Sequence, residues 1–206
     1  MAITYPLTLP AAPIFNSARF TARAVVGLSE SPFTGQSQVQ EYAGQWLEAE
    51  LSLPPMTRPQ AEYWTAFLLK LNGLRGTFLL GDPAGKKPRG VATGTPVVNG
   101  AGQTGNALIT NGWTISTTGI LLAGDYIQLG TGATARLYKV LDDANSDGAG
   151  AATLTLWPSL RTSPGSGAAV VVNNTVGLFR LVSNEMVWNI GEAINYGLVI
   201  ASREAL

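Results

Sequence analysis

The chain holds neither cysteine nor histidine among its 206 residues. Those two absences remove disulfides, thiolate nucleophiles, His-based triads and the usual general base near neutral pH. Zinc sites built from Cys and His go with them. Charge is scarce as well: Asp, Glu, Lys and Arg make up 13% of the chain, about half the usual share of roughly 25%. Thirteen basic side chains balance thirteen acidic ones, so no basic excess exists to release counterions from a nucleic acid. Lys86, Lys87 and Arg89 cluster, but among Gly and Pro, as in a solvated loop. No apolar run approaches the ~20 residues that span a bilayer, so no membrane partner is expected. The opening MAITYPLTLPAAP has no basic start and two early prolines, unlike a secretory signal.

What replaces charge is Gly, Thr, Ser, Asn and Gln. A near-neutral surface promotes association, so the composition fits a chain covered by protein neighbours. A monomer with an uncharged polar surface is the alternative.

Three zones differ in texture. In the first, QWLEAELSL alternates: Leu47, Ala49, Leu51 and Leu53 fall on one face, Trp46, Glu48, Glu50 and Ser52 on the other. That period of two is a half-buried strand. SARFTARAVVGL upstream is a second strand candidate. Thr57-Arg-Pro-Gln60 fits a capping box with Thr57 as N-cap, and Pro59 is tolerated in a first turn. Tyr63, Trp64, Phe67, Leu68 and Leu71 follow at helical spacing, and Gly73 stands at the C′ position. The spacing predicts a helix over 57–72 lying on a sheet, with those five residues as its core face.

The middle zone is Gly- and Thr-rich, and YIQL, ARLYKVL, ATLTLW and AAVVV read as short strands of a small sandwich or barrel. The last zone returns to longer patterns, GLFRLVSNEMVWNI and NYGLVIASRE, with a hairpin turn at 182–185. The fold class is therefore mainly β with one α-helix. A discontinuous β-sandwich or barrel domain, 1–88 with 176–206, is interrupted by an inserted small all-β domain, 89–175. Surface loops accept such insertions because their ends lie close together. Two consecutive domains split near residue 90 are the alternative.

Apparent chemical motifs weaken on inspection. Glu48 and Glu50 share a strand face about 7 Å apart, a span that a glycosidase can use but also an ordinary outward face. Gly100-Ala-Gly102-Gln-Thr-Gly105 matches G-x-G-x-x-G, yet NALITNGWTI after it has no helical spacing. Asp143-x-Asn145-x-Asp147-Gly148 spells half of a calcium loop. Position 12 of that loop is Leu154 rather than Glu, and strand patterns flank it, so a hairpin tip is expected. No catalytic, metal or cofactor set emerges, and no enzyme is expected.

GTFLLGDPAGKKPRG, 76–90, resembles distal or minor tail proteins of siphophages, where a helix ends in Gly-x-x-Gly and runs into a Phe-Leu-Leu-Gly-Asp-Pro strand and turn. The resemblance continues through Gly112-Trp113, AGDYIQL (123–129), RLYKV (136–140), WPSLR (157–161), FRL (179–181) and Trp188, and so covers most of the chain. It implies a ring, commonly of six copies, at the end of the tail tube, each copy giving strands to a tube-like inner barrel. The interrupted domain would be tube-forming, and the insertion an outward domain of galectin or oligonucleotide/oligosaccharide-binding type. Implied partners are further copies of the chain, the tail tube protein and other tail-tip or hub proteins, with DNA passing only through the lumen. The implied location is the virion tail tip, after assembly in the host cytoplasm. On this reading the Trp46/Glu48/Glu50 face lines the ring or its lumen. Alternatives are another minor tail-tip protein, or a carbohydrate-binding module stacking sugars on Trp113, Tyr126, Tyr138 and Trp157.

Overall fold

The computed structural model describes residues 2–191 and 195–206. In chain order its elements are β1 (Ser17–Glu30), β2 (Ser37–Ser52), α1 (Arg58–Leu71), β3 (Phe78–Leu80), β4 (Gly94–Val98), β5 (Gly105–Trp113) and β6 (Tyr126–Leu129). Then come β7 (Arg136–Val140), β8 (Ala152–Leu160), β9 (Val170–Val171), β10 (Gly177–Leu181), β11 (Asn189–Ile190), β12 (Tyr196–Gly197) and β13 (Val199–Glu204). The fold is mainly β with a single α-helix among the described residues.

Two antiparallel sheets dominate. The first runs β1-β2-β13-β10-β3, and the second β4-β5-β8-β7-β6-β9. The second sheet nearly closes on itself. Val97 bridges Ala169, and the Val98 amide donates to the Ala168 carbonyl at 2.8 Å, so its two edge strands meet. Closure removes exposed edges, and Leu108, Ile127, Leu137, Tyr138, Leu154 and Leu156 are buried along these strands. NALITNGWTI, which has no helical spacing, supplies most of β5. Its Asn-Gly pair sits at a register shift between β4 and β5, where Gly112 takes φ +83°.

The first sheet buries the alternating face of β2, Leu47, Ala49 and Leu51, together with Leu53 just past its end, under α1. The helix begins where the sequence marks it, with the Thr57 amide donating to Gln60 Oε1 at 3.1 Å. Its buried stripe is Ala61, Trp64, Thr65, Phe67, Leu68 and Leu71. Tyr63, expected on that stripe, is 71% exposed. At 100° per residue it lies about 120° round the helix from the stripe's centre, between Trp64 and Leu68. An aromatic chain threads the core, Phe15–Trp64–Phe67–Phe78–Phe179, with neighbouring ring centroids 5.6, 5.9, 5.6 and 6.5 Å apart.

The helix stops in a tight turn that needs both glycines of Gly73-Leu-Arg-Gly76. Gly73 has φ +65°, and a Cβ there would sit 2.5 Å from Asn184 Oδ1. A Cβ on Gly76 would sit 2.4 Å from the Leu71 carbonyl oxygen, so the chain passes too close to its own helix for any side chain.

The carboxyl-terminal zone departs from the predicted long hairpin. β10 pairs with β13, Leu181 opposite Ser202, while 182–188 forms no strand and 189–190 pairs only with 196–197. The Asn184 side chain accepts the Leu74 amide at 3.0 Å, which holds this stretch over the helix end instead of in the sheet. The residues from 192 to 194, between the two strand-like patterns, lie outside the described ones.

Candidate interaction surface

The outward face of the first sheet collects the chain's charged groups. Register places Arg23 opposite Trp46, Thr21 opposite Glu48 and Arg19 opposite Glu50. On the other side of β2, Arg203 lies opposite Glu48, and Arg180 lies opposite Arg203. Trp46, Glu48 and Glu50 thus share one face with Arg19, Arg23, Arg180 and Arg203. Trp46 Nε1 donates to Glu48 Oε1 at 3.1 Å, Arg23 Nε donates to Glu48 Oε2 at 3.0 Å, and the Arg203 guanidinium sits 5.9 Å from the Trp46 ring centroid. The Trp46 and Arg23 bonds hold the Glu48 carboxyl below the usual range for glutamate. A general acid needs the opposite shift. Glu50 is exposed and Glu48 is engaged by two donors, so the pair belongs to an ionic surface.

One end of this sheet leaves the body. Past Ala24 and Gln45 the register shifts, the extra residues falling on the β2 side between Glu41 and Gln45. β1 and β2 continue as a two-stranded arm, closed by a turn at 31–36 in which the Ser31 amide donates to the Gln36 carbonyl at 2.8 Å. Residues 37–43 are all exposed. At the tip Phe33 is 95% exposed, and along the arm Leu28 and Val39, directly opposite one another, are 67% and 62% exposed. The sequence suggested a strand through Leu28 but gave no sign that it leaves the body. Whether an alternating pattern meets its own core depends on tertiary structure.

The two sheets are joined by buried polar groups. Arg161 Nη2 donates to Glu204 Oε2 at 2.6 Å, and the same oxygen accepts the Leu47 amide at 3.2 Å. Burial pushes the Glu204 carboxyl up, against the pull of Arg161. Gln45 Oε1 accepts the Ser159 amide and Gln128 Oε1 the Val176 amide, each at 2.8 Å. The segments that connect the sheets also touch, the Asn174 amide donating to the Lys86 carbonyl at 2.7 Å.

The calcium-like loop is stitched to its neighbours. Asp143 Oδ1 accepts the Ala123 amide, Asn145 Oδ1 the Gly119 amide, and Asp147 Oδ1 the amides of Ala149 and Ala151, at 2.7–2.8 Å. These bonds occupy one side-chain oxygen of each residue, and the two to Asp147 hold its carboxyl below the usual range. The loop joins the paired strands β7 and β8, as expected of a hairpin, and it is packed against its neighbours: Ala144 bridges Leu121, and the Ser146 hydroxyl donates to the Thr114 and Thr117 carbonyls. Gly100–Gly105 is a turn between β4 and β5, with Gln103 bonded to the backbone of Asn99, Gly100 and Ile109. Trp113, Tyr126 and Tyr138 are buried and present no face for a sugar. No group of three or more Asp or Glu gathers as a metal site among the described residues. No described helix is long and apolar enough to cross a membrane.

Neither a protein-family model nor a curated protein matches this chain.

Proposed function

We propose that this chain is a structural subunit of the tail tip of a long-tailed phage, a distal tail protein whose copies form a ring between tail tube and tip, around the DNA exit channel. The observation that carries the reading is the open side of the first sheet. At its other edge β3 is covered by the amino-terminal segment, where Leu7 bridges Phe78. β1 is left as an edge strand of 14 residues, about 45 Å of unpaired backbone, and it runs on into an arm that its own body does not cover. A free edge of that length is a template for pairing with another chain, and no proline interrupts it. Two different faces, an open edge and whatever receives it, make a heterologous contact, the kind that forms a ring when its rotation closes. The near-zero charge and the lack of any catalytic set fit the same role. The sheet strands drawn from 17–80 and 177–204 would form the tube-facing domain, and the near-closed barrel of 94–171 the outward one.

Negative-stain images of the purified full-length protein test this. Rings of one definite symmetry, able to bind tail tube protein, are expected. Featureless small particles that ignore tail tube protein would remove the reading.

A further inference from the structure

The arm carries a pattern of its own. Val26 pairs with Glu41, Leu28 with Val39 and Glu30 with Ser37, and because these pairs are two residues apart their side chains share one face. That face is an apolar centre, Leu28 against Val39 with Val26 beside it, flanked by a carboxylate at each end. From Ala24 to Gln45 the only charged residues are Glu30 and Glu41, so the arm is acidic throughout. The sheet face of the body is the reverse. Arg19, Arg23, Arg180 and Arg203 outnumber Glu48 and Glu50 there, and Glu48 is already bonded to Arg23. Arg19 and Arg203 are exposed and make no ion pair among the described residues, and Trp46, half-buried beneath Arg203 and opposite Arg23, offers apolar surface beside them.

We infer that the arm docks on a second copy of this chain, laying its Leu28/Val39 stripe along that copy's β1–β2–β13 face with Glu30 and Glu41 on the arginines. Every copy carries both halves, so each gives an arm to one neighbour and receives one from the other, which is the head-to-tail geometry a ring requires. A second copy is favoured over a foreign partner because the arm's charge deficit is matched by an excess on the same molecule, leaving the whole chain neutral. A two-stranded ribbon with no core of its own is marginal in water, and this contact would supply the missing layer. The inference rests on the ring reading and adds which surfaces meet.

Charge reversal on the full-length chain tests it, with sedimentation velocity as readout and melting temperature as the check on folding. Glu30→Lys with Glu41→Lys, and separately Arg19→Glu with Arg203→Glu, should each weaken self-association about 100-fold or more, since like charges set opposite one another cost several kcal/mol. A mixture of the two variants should regain association, because the reversed arm of one then meets the reversed face of the other. Raising salt should weaken the wild-type contact. Undiminished assembly of both reversal variants would overturn the docking and leave the ring standing. A wild-type chain that stays monomeric at every concentration would overturn both.

Discussion

Glu204 is a carboxylate placed where the chain otherwise puts leucine and phenylalanine, and its partner Arg161 comes from the other sheet. Removing one member of such a pair leaves an uncompensated buried charge, which typically costs about 3–5 kcal/mol, while removing both is far milder. Arg161→Met should therefore lower stability in urea by about that amount, and Arg161→Met with Glu204→Leu should recover much of it. A double variant as unstable as the sum of the singles would mean that the two side chains are not coupled. Glu48 behaves differently because it is partly exposed. Its carboxyl is held below the ordinary glutamate value, so its stabilising effect is complete above that value and is lost as pH falls through the lowered one. Solvent screening limits the effect to about 1 kcal/mol or less. Melting curves between pH 6 and pH 3 should fall more steeply for wild type than for Glu48→Gln. None of these pairings could be read in the sequence, since Arg161 and Glu204 stand 43 positions apart and only the fold brings them together.

At the scale of elements, local pattern carried as far as its own periodicity reached. The alternation of 46–53 and the capping residues 57–60 specify a strand and a helix start without help from the rest of the chain. Tyr63 shows the limit, because it sits at the margin of the helical stripe and only the shape of the sheet beneath decides which margin is covered. Leu71→Ala should cost about 2–5 kcal/mol by opening a cavity, while Tyr63→Ala should stay within about 0.5 kcal/mol of wild type. A comparable loss for both in chemical denaturation would put Tyr63 back in the core. Gly76→Ala should destabilise on the order of 2 kcal/mol through the clash with the Leu71 carbonyl, and an unchanged melting temperature would mean that the turn relaxes freely. The carboxyl-terminal hairpin misled because the strand-like residues at 186–188 form no strand, and Asn184 binds the helix end instead. The arm was legible only as a strand, since nothing in an alternating pattern says whether a core lies below it.

The whole molecule joins a near-closed barrel, which has little edge to offer, to a sheet that leaves a long edge, an ionic face and an arm exposed. Such a division suits a subunit that is complete on one side and awaits neighbours on the other. Composition had suggested as much through its low, balanced charge, but the distribution of that charge, acidic on the arm and basic on the sheet face, needed the strand register to be seen. Native mass spectrometry of the full-length protein over a range of concentrations is the most direct measurement. One closed stoichiometry that builds up from monomer without open-ended larger species is expected. Monomer alone, at concentrations well into the micromolar range, would contradict the idea that this chain is an assembling subunit.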